Sequence, residues 1–143
     1  MSKAFTRMYL HCVWAKTQRL PLLTPAIEPK VYACIAAKGR ELECAPIAIG
    51  GVEDHVHLLV ELSTGIEVRK LMKEVKGASS FLVSHELTPD IFFRWQTGYG
   101  AFTVSHKDVP AIKAYIKNQK AHHASRTLVA EWEGFEVQNA PTQ

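Results

Sequence analysis

The chain has 143 residues, of which 47% are hydrophobic and 22% are charged. This length and composition are typical of one globular domain with its own core, and they exclude extensive disorder. The net charge of +3 permits a nucleic-acid partner without requiring one. The three cysteines form no CxxC pair, which argues against a zinc knuckle or a disulfide framework. We expect reduced thiols in a cytoplasmic protein. No uncharged apolar run is long enough to cross a bilayer, so we expect no membrane partner.

The first half of the chain predicts three strands and one helix. Residues 5–15 (FTRMYLHCVWA) are rich in aromatic and β-branched residues and predict a strand. Thr24-Pro25 resembles an N-cap followed by a proline in the first turn, and the apolar spacing that follows predicts a helix to about Glu43. Residues 46–52 and 55–62 predict two strands joined by a tight turn.

The second half predicts two helices and one strand. Thr64 and Glu67 have the spacing of a capping box, which predicts a helix start. A strand follows at about 101–104. Pro110 is compatible only with the first turn of a last helix, which is predicted to run to about His123.

The order strand, helix, strand, strand, helix, strand, helix predicts an α+β fold. Its first six elements match a ferredoxin-like split βαβ sandwich, an antiparallel sheet with helices, and the seventh is a C-terminal helix. We expect a single domain over residues 1–143, with 125–143 as a C-terminal tail.

The most informative stretch is DHVHLLV, from Asp54 to Val60. Residues two apart in a strand point to the same face, so His55 and His57 lie side by side at a Cα spacing of about 7 Å, close enough to bind one ion. Two solvated histidines are the alternative, and His-x-His alone does not decide between the two. Histidine-triad nucleotide hydrolases need a third histidine where this chain has Leu59, so that class is excluded.

The second stretch is AYIKNQ, on the predicted last helix. Tyr115 and Gln119 are four residues apart, so they lie on one face at a Cβ separation of about 5–6 Å. Ile112 and Ile116 lie beside the tyrosine and are placed to anchor the helix to the sheet. An ordinary amphipathic helix with a half-buried tyrosine is the alternative.

Together these stretches resemble the HUH single-strand DNA transposases with one catalytic tyrosine, the small insertion-sequence enzymes. The resemblance covers most of the chain, from the first strand to about His123. It rests on three motifs in the expected order: DHVHLLVEL (54–62), WQTGYGAFTVS (95–105) and YIKNQKAHH (115–123).

The resemblance implies a metal site and a nucleophile. His55, His57 and Gln119 are the implied metal ligands, and Tyr115 is the implied nucleophile that forms a 5′-phosphotyrosine. Imidazole suits Mn²⁺, Ni²⁺ or Zn²⁺ while phosphate and amide oxygens suit Mg²⁺, so residue types alone do not select the metal. The family implies Mg²⁺, with Mn²⁺ as a substitute.

The resemblance also implies the partners. Single-stranded DNA with a hairpin is the implied substrate, which is cut and rejoined. A homodimer is implied, in which the site is built either within one chain or with Tyr115 of one chain acting at His55 and His57 of the other. Three side chains remain equal alternatives as acceptors of the tyrosine proton: Lys120, His122 and His123.

Basic and aromatic residues outside these motifs are candidate DNA contacts. A charged helix face is as often merely solvated as bound to phosphate, so these assignments depend on where the residues cluster. The candidates are Arg69, Lys70, Lys73, Lys76, Arg94 and Tyr99. Stacking on unpaired bases is conceivable for Trp95 and Phe102, but core packing is favoured for both.

Two rival functions share parts of this pattern. A non-catalytic, ferredoxin-like nucleic-acid-binding module would explain the charge and the aromatics, but it leaves the histidines, tyrosine and glutamine as coincidence. A domesticated relative, the repeat-associated tyrosine transposase, would share the chemistry and differ in substrate and assembly.

Overall fold

A computed structural model describes residues 4–17, 23–52, 54–90 and 93–121. Within these residues the chain forms four strands and three α-helices. The strands are β1 (Tyr9–Ala15), β2 (Ala45–Val52), β3 (His55–Glu61) and β4 (Gly100–Val104), and the helices are α1 (Glu28–Glu41), α2 (Val68–Leu82) and α3 (Val109–Lys117). A π-helical turn (Val83–Leu87) extends α2, and a 3₁₀ turn (His106–Asp108) precedes α3.

The four strands form one antiparallel sheet in the order β2-β3-β1-β4. This order and the sequence of elements are those of a ferredoxin-like split βαβ sandwich, with α3 added. The predicted α+β fold and the predicted hairpin of β2 and β3 are confirmed. No helix in the described part of the chain is long and apolar enough to cross a membrane.

Both faces of the sheet are buried, each against different helices. Alternate residues of β1 and β3, such as Trp14 and Leu58, join apolar residues of α1 and α2 in the larger core. On the other face, Leu59 packs with Ile112 and Ile116 of α3. The helix α3 therefore covers the face of β3 that carries His55 and His57.

The first strand and the first helix both begin later than predicted. β1 starts at Tyr9 rather than Phe5 because its neighbours end there: Tyr9 pairs with Glu61 of β3 and Val104 of β4. Phe5 is exposed. The Thr24 carbonyl closes a turn with the backbone N–H groups of residues 27 and 28, and α1 begins only at Glu28.

The remaining differences concern helix ends. α1 ends at Glu41 because Glu43 adopts a left-handed backbone (φ 62°), and the N–H of Cys44 then bonds to the Gly39 carbonyl. The predicted capping box is wrong, since α2 begins at Val68 with Glu67 as its extended N-cap and no side-chain cap. Residues 122–143, which include the predicted tail, lie outside the described residues.

Candidate active site

Both histidines of β3 are completely buried between the sheet and α3. His55 and His57 project to the same side, with ring centroids 5.2 Å apart and an interplanar angle of 66°. The alternative of two solvated histidines is therefore wrong. Placing two imidazoles in a buried layer is unfavourable unless their ring nitrogens have partners, so their hydrogen bonds bear on what they do.

Each buried imidazole is engaged through Nδ1. His55 donates its Nδ1–H to Oδ1 of Asp54 at 2.8 Å. Nδ1 of His57 is hydrogen-bonded to Nε2 of His11 at 2.9 Å. A histidine whose Nδ1 carries the proton presents its lone pair at Nε2. His55 therefore carries its lone pair at Nε2, and His57 does so in the tautomer in which it donates to His11. A proton on Nδ1 with Nε2 as the ligand atom is the arrangement that metal-binding histidines usually have.

His11 is a member of the site that the motif analysis missed. It lies on β1, opposite Leu59 of β3, and it is fully buried. Its ring is 5.2 Å from that of His57 and 6.1 Å from that of Phe102, which forms part of the wall of the site. Two-residue alternation along YLHCVWA would have placed His11 on the face opposite Trp14. That signal carries information only once β1 is known to be the neighbour of β3.

Gly50 allows α3 to approach the sheet closely enough to complete the site. It lies on β2 opposite His57, and a Cβ atom there would be 2.0 Å from the carbonyl oxygen of Ile116. Only glycine leaves room for the helix backbone at this position. The Tyr115 ring consequently sits 6.2 Å from that of His57, at an interplanar angle of 78°.

Gln119 follows an interruption of the last helix. α3 ends at Lys117 and Asn118 leaves helical geometry, but residues 119–121 are helical again, so the predicted unbroken helix is wrong. Gln119 is nevertheless buried, with 1% of its surface exposed. The chain runs here along β2, from Ile116 beside Gly50 to Lys120 beside Gly51. Gln119 thus lies between a residue that packs on Gly50 and one whose ammonium reaches the Gly51 carbonyl.

The donor set fits a divalent cation bound by mixed ligands. No group of three His, Cys, Asp or Glu side chains is arranged to hold a metal ion in the ranges that the structure describes. A third protein ligand would then be of another type, and the buried amide of Gln119 meets that requirement. His11 contacts His57 through its Nε2, and no set of three such side chains that includes His11 is arranged around an ion in the described ranges.

A comparison with protein families gives one match, to the family described as "Transposase IS200 like", over residues 4–119. The chain belongs to this family. The IS200-like transposases are enzymes of DNA cleavage and strand transfer. The matched segment includes all four strands, the three α-helices and the four residues of the predicted site. A comparison with curated protein sequences finds no match.

Solved structures support the fold of this IS200-like transposase. One is a protein of Deinococcus radiodurans R1 described as a transposase, with 22% identity and a TM-score of 0.65, covering 83% of this chain and 95% of its own. Another is a REP-associated tyrosine transposase bound to a REP hairpin, with 18% identity and a TM-score of 0.63, covering 94% of this chain and 81% of its own.

The candidate DNA contacts of this transposase on α2 lie far from the histidines. α2 packs on the face of the sheet opposite α3, and Arg69, Lys70 and Lys73 are exposed there. Glu67 and Glu74 line the same shallow depression, so the charge of this surface is mixed. The stripe is therefore separated from Tyr115 by the thickness of the sheet.

Lys76 is used inside the protein. Its ammonium donates to the carbonyls of Gln96 and Gly98, both at 2.8 Å, and partial burial lowers its pKa. These bonds hold the loop before β4, which also carries Arg94 and Tyr99. The Arg94 side chain is exposed, and its carbonyl bonds to residue 17 just beyond β1, at the end of the sheet that carries His55.

The two aromatics for which core packing was favoured are placed as expected, while Tyr99 is intermediate. Trp95 is buried, stacks edge-on against Trp14 at 5.9 Å and donates to the hydroxyl of Ser79. Phe102 is half-buried against β1. Tyr99 is half-buried against the larger core, which leaves only part of its ring accessible.

Proposed function

We propose that this IS200-like transposase cleaves and rejoins single-stranded DNA through Tyr115, with a divalent ion held by His55, His57 and Gln119. The observation that carries this proposal is the position of the Tyr115 ring, 6.2 Å from that of His57. At this point α3 packs on the sheet face that carries His55 and His57, and the Nδ1 atoms of both imidazoles are already hydrogen-bonded.

The chemistry is an exchange of one phosphodiester for another. The phenolic oxygen of Tyr115 attacks phosphorus, the bond to the 3′ oxygen breaks, and that oxygen leaves as a 3′-hydroxyl after taking up a proton. The 5′-phosphate stays on the tyrosine as a diester. A DNA hydroxyl then reverses the reaction by attacking the phosphotyrosine. The product is a rejoined strand, whereas water as the nucleophile would give hydrolysis.

A divalent ion bound at this site would stabilise the charge that builds on the non-bridging phosphate oxygens. Two imidazoles and one amide oxygen leave positions for phosphate and water, which suits the octahedral preference of Mg²⁺ or Mn²⁺. We propose Mg²⁺ as the native metal, because amide and phosphate oxygens are hard ligands and only two nitrogens are present.

The phenolic proton needs an acceptor, because an unperturbed tyrosine has a pKa of about 10 and is mostly protonated at neutral pH. Of the three candidates, only Lys120 lies within the described residues. Its ammonium is bound to the carboxylate of Glu28 at 2.7 Å and 2.8 Å. Because its Nζ is engaged by Glu28, the structure gives Lys120 little support in this role.

Two separate surfaces of the molecule are candidates for DNA contact. We propose that Arg94, on the His55 end of the sheet, contacts the strand that is cut. The stripe of Arg69, Lys70 and Lys73 would contact phosphates of another part of the substrate, such as a hairpin stem. The internal bonds of Lys76 argue against a direct role in DNA binding, and Tyr99 would offer a base only the exposed part of its ring.

We also propose a homodimer. Moving a DNA segment requires cuts at two ends, and one nucleophilic tyrosine per chain supplies one covalent intermediate, so two chains must act together. In the single chain, Tyr115 already lies beside His57 of the same chain. This supports a site built within each protomer over one shared between protomers.

The test is covalent capture of labelled DNA. The protein is incubated with Mg²⁺ and single strands that cover the DNA flanking its coding sequence, and adducts are resolved on a denaturing gel. We expect an adduct with the wild type and the Tyr99→Phe control, but none with Tyr115→Phe. Equal cleavage of fully paired duplex would instead favour a general nuclease, and binding without any adduct would favour a non-catalytic module.

A further inference from the structure

One of the two central strands of the sheet, β1, carries a third buried histidine, which contacts one of the two proposed metal-binding histidines. His11 lies in the middle of β1, which is paired to β3 on one side and β4 on the other. No part of its surface is exposed, and its Nε2 is 2.9 Å from Nδ1 of His57. The rings are stacked, with centroids 5.2 Å apart and 30° between their planes.

The chemistry of metal binding sets the direction of this hydrogen bond. An imidazole that binds a cation through Nε2 must be neutral and must carry its proton on Nδ1. His57 in that state donates to His11, so Nε2 of His11 is the acceptor. We propose that His11 is a positioning residue that holds His57 in the Nδ1–H tautomer and in the ring orientation needed for metal binding. This inference rests on the proposed metal role of His57.

The two proposed metal-binding histidines differ in whether water can replace their hydrogen-bond partners. His55 is oriented by Asp54, whose side chain is 26% exposed, so water is available nearby to replace a lost carboxylate. His57 and His11 are both fully buried, so water does not reach this hydrogen bond as readily. Loss of the His11 acceptor would therefore weaken the preference of His57 for the Nδ1–H tautomer, and the other tautomer carries its proton at the metal-binding nitrogen.

The position of His11 is fixed by the fold. Its backbone lies opposite Leu59 and Phe102 in the two ladders, and the Phe102 ring is 6.1 Å from its own. A substitution at residue 11 thus changes the hydrogen bond without releasing the strand. His11→Gln retains an acceptor that can reach His57, whereas His11→Phe fills similar space and removes the acceptor.

The first measurement is Mn²⁺ affinity, obtained by titration with electron paramagnetic resonance detection of the free ion. Loss of a hydrogen-bonding partner behind a ligand typically weakens metal binding by roughly 10- to 100-fold, and we expect this for His11→Phe. His11→Gln should recover most of the affinity. The matched control is Tyr9→Phe, which removes a buried-strand hydrogen bond to His106 on the same face of β1 without touching His57. It should bind Mn²⁺ as the wild type does.

The second measurement reports the tautomer of His57 directly. Long-range ¹H–¹⁵N correlation spectra of the metal-free protein should show His57 with its proton on Nδ1, and His11→Phe should mix the two tautomers. Equal Mn²⁺ affinity in the wild type and both residue-11 variants, or a wild-type His57 protonated on Nε2, would overturn the inference. A wild type that binds no Mn²⁺ would instead refute the proposed metal site itself. If His11→Phe does not fold, the inference is still tested by the protonated nitrogen of His57 in the wild type and by the Mn²⁺ affinity of His11→Gln.

Discussion

Gly50→Ala is expected to damage catalysis because the added methyl forces α3 away from the sheet. The added Cβ would lie 2.0 Å from the Ile116 carbonyl oxygen and 2.9 Å from its carbon. Contacts below 3.0 Å essentially do not occur, so the helix must retreat by about 1 Å. Both clashing atoms belong to the backbone, which means that no side-chain rotation relieves them.

Two magnitudes follow from that displacement. Overpacking of this kind costs about 1–3 kcal/mol of folding free energy, which lowers the melting temperature of a domain this size by roughly 4 °C per kcal/mol. Tyr115 precedes Ile116 directly, so it moves with the helix. A misplacement of about 1 Å between reacting groups costs roughly 100-fold in rate. We therefore expect strand cleavage to fall far more than the folded fraction does at the assay temperature.

The assay compares cleavage rate and melting temperature in two glycine variants. Gly77→Ala is the matched control, because nothing lies within 4 Å of the methyl that it would add and the residue is on an exposed part of α2. It should cleave normally and be up to about 1 kcal/mol more stable. Wild-type cleavage by Gly50→Ala, with unchanged stability, would refute the close approach of α3 and with it the placement of Tyr115.

Three further predictions test the ligands, the surface and the assembly. His57→Ala should abolish both cleavage and Mn²⁺ binding, while Gln119→Ala should weaken them less because a neutral amide is the poorer ligand; equal losses would contradict that ranking. Lys76→Met should lower stability by about 2 kcal/mol through lost charged hydrogen bonds, while exposed Lys73→Met should not; equal melting temperatures would show that the loop is held otherwise. A mixture of Tyr115→Phe and His57→Ala chains should stay inactive if each site lies within one chain, and light scattering should give the mass of a dimer. Restored cleavage would establish a shared site.

Much of the fold was accessible from local pattern. Alternation in β3 and the helical spacing around Leu71 depend only on neighbours in sequence, so the hairpin, the helices and their order were predicted. The pair of His55 and His57 was found for the same reason. Helix starts were less predictable, because Thr24 and Thr64 have the composition of caps but lie in turns before α1 and α2.

The parts of the site that escaped prediction depend on contacts between distant segments. His11 is 46 residues from His57 in sequence, and only strand pairing brings them together. The importance of Gly50 likewise arises from α3, which packs on it from 66 residues further along the chain. Burial of the histidine face was missed because a two-residue alternation cannot tell a solvated face from one covered by another helix.

Peptide mapping of the trapped DNA adduct tests the central claim most directly. Trypsin cleaves after Lys113 and Lys117, so the short peptide 114–117 carries Tyr115 as its only hydroxyl-bearing side chain. After nuclease trimming, mass spectrometry should find the remaining nucleotide 5′-phosphate on this peptide and on none that contains Tyr9, Tyr32 or Tyr99. A nucleotide attached to any other peptide would contradict the assignment of Tyr115 as the nucleophile.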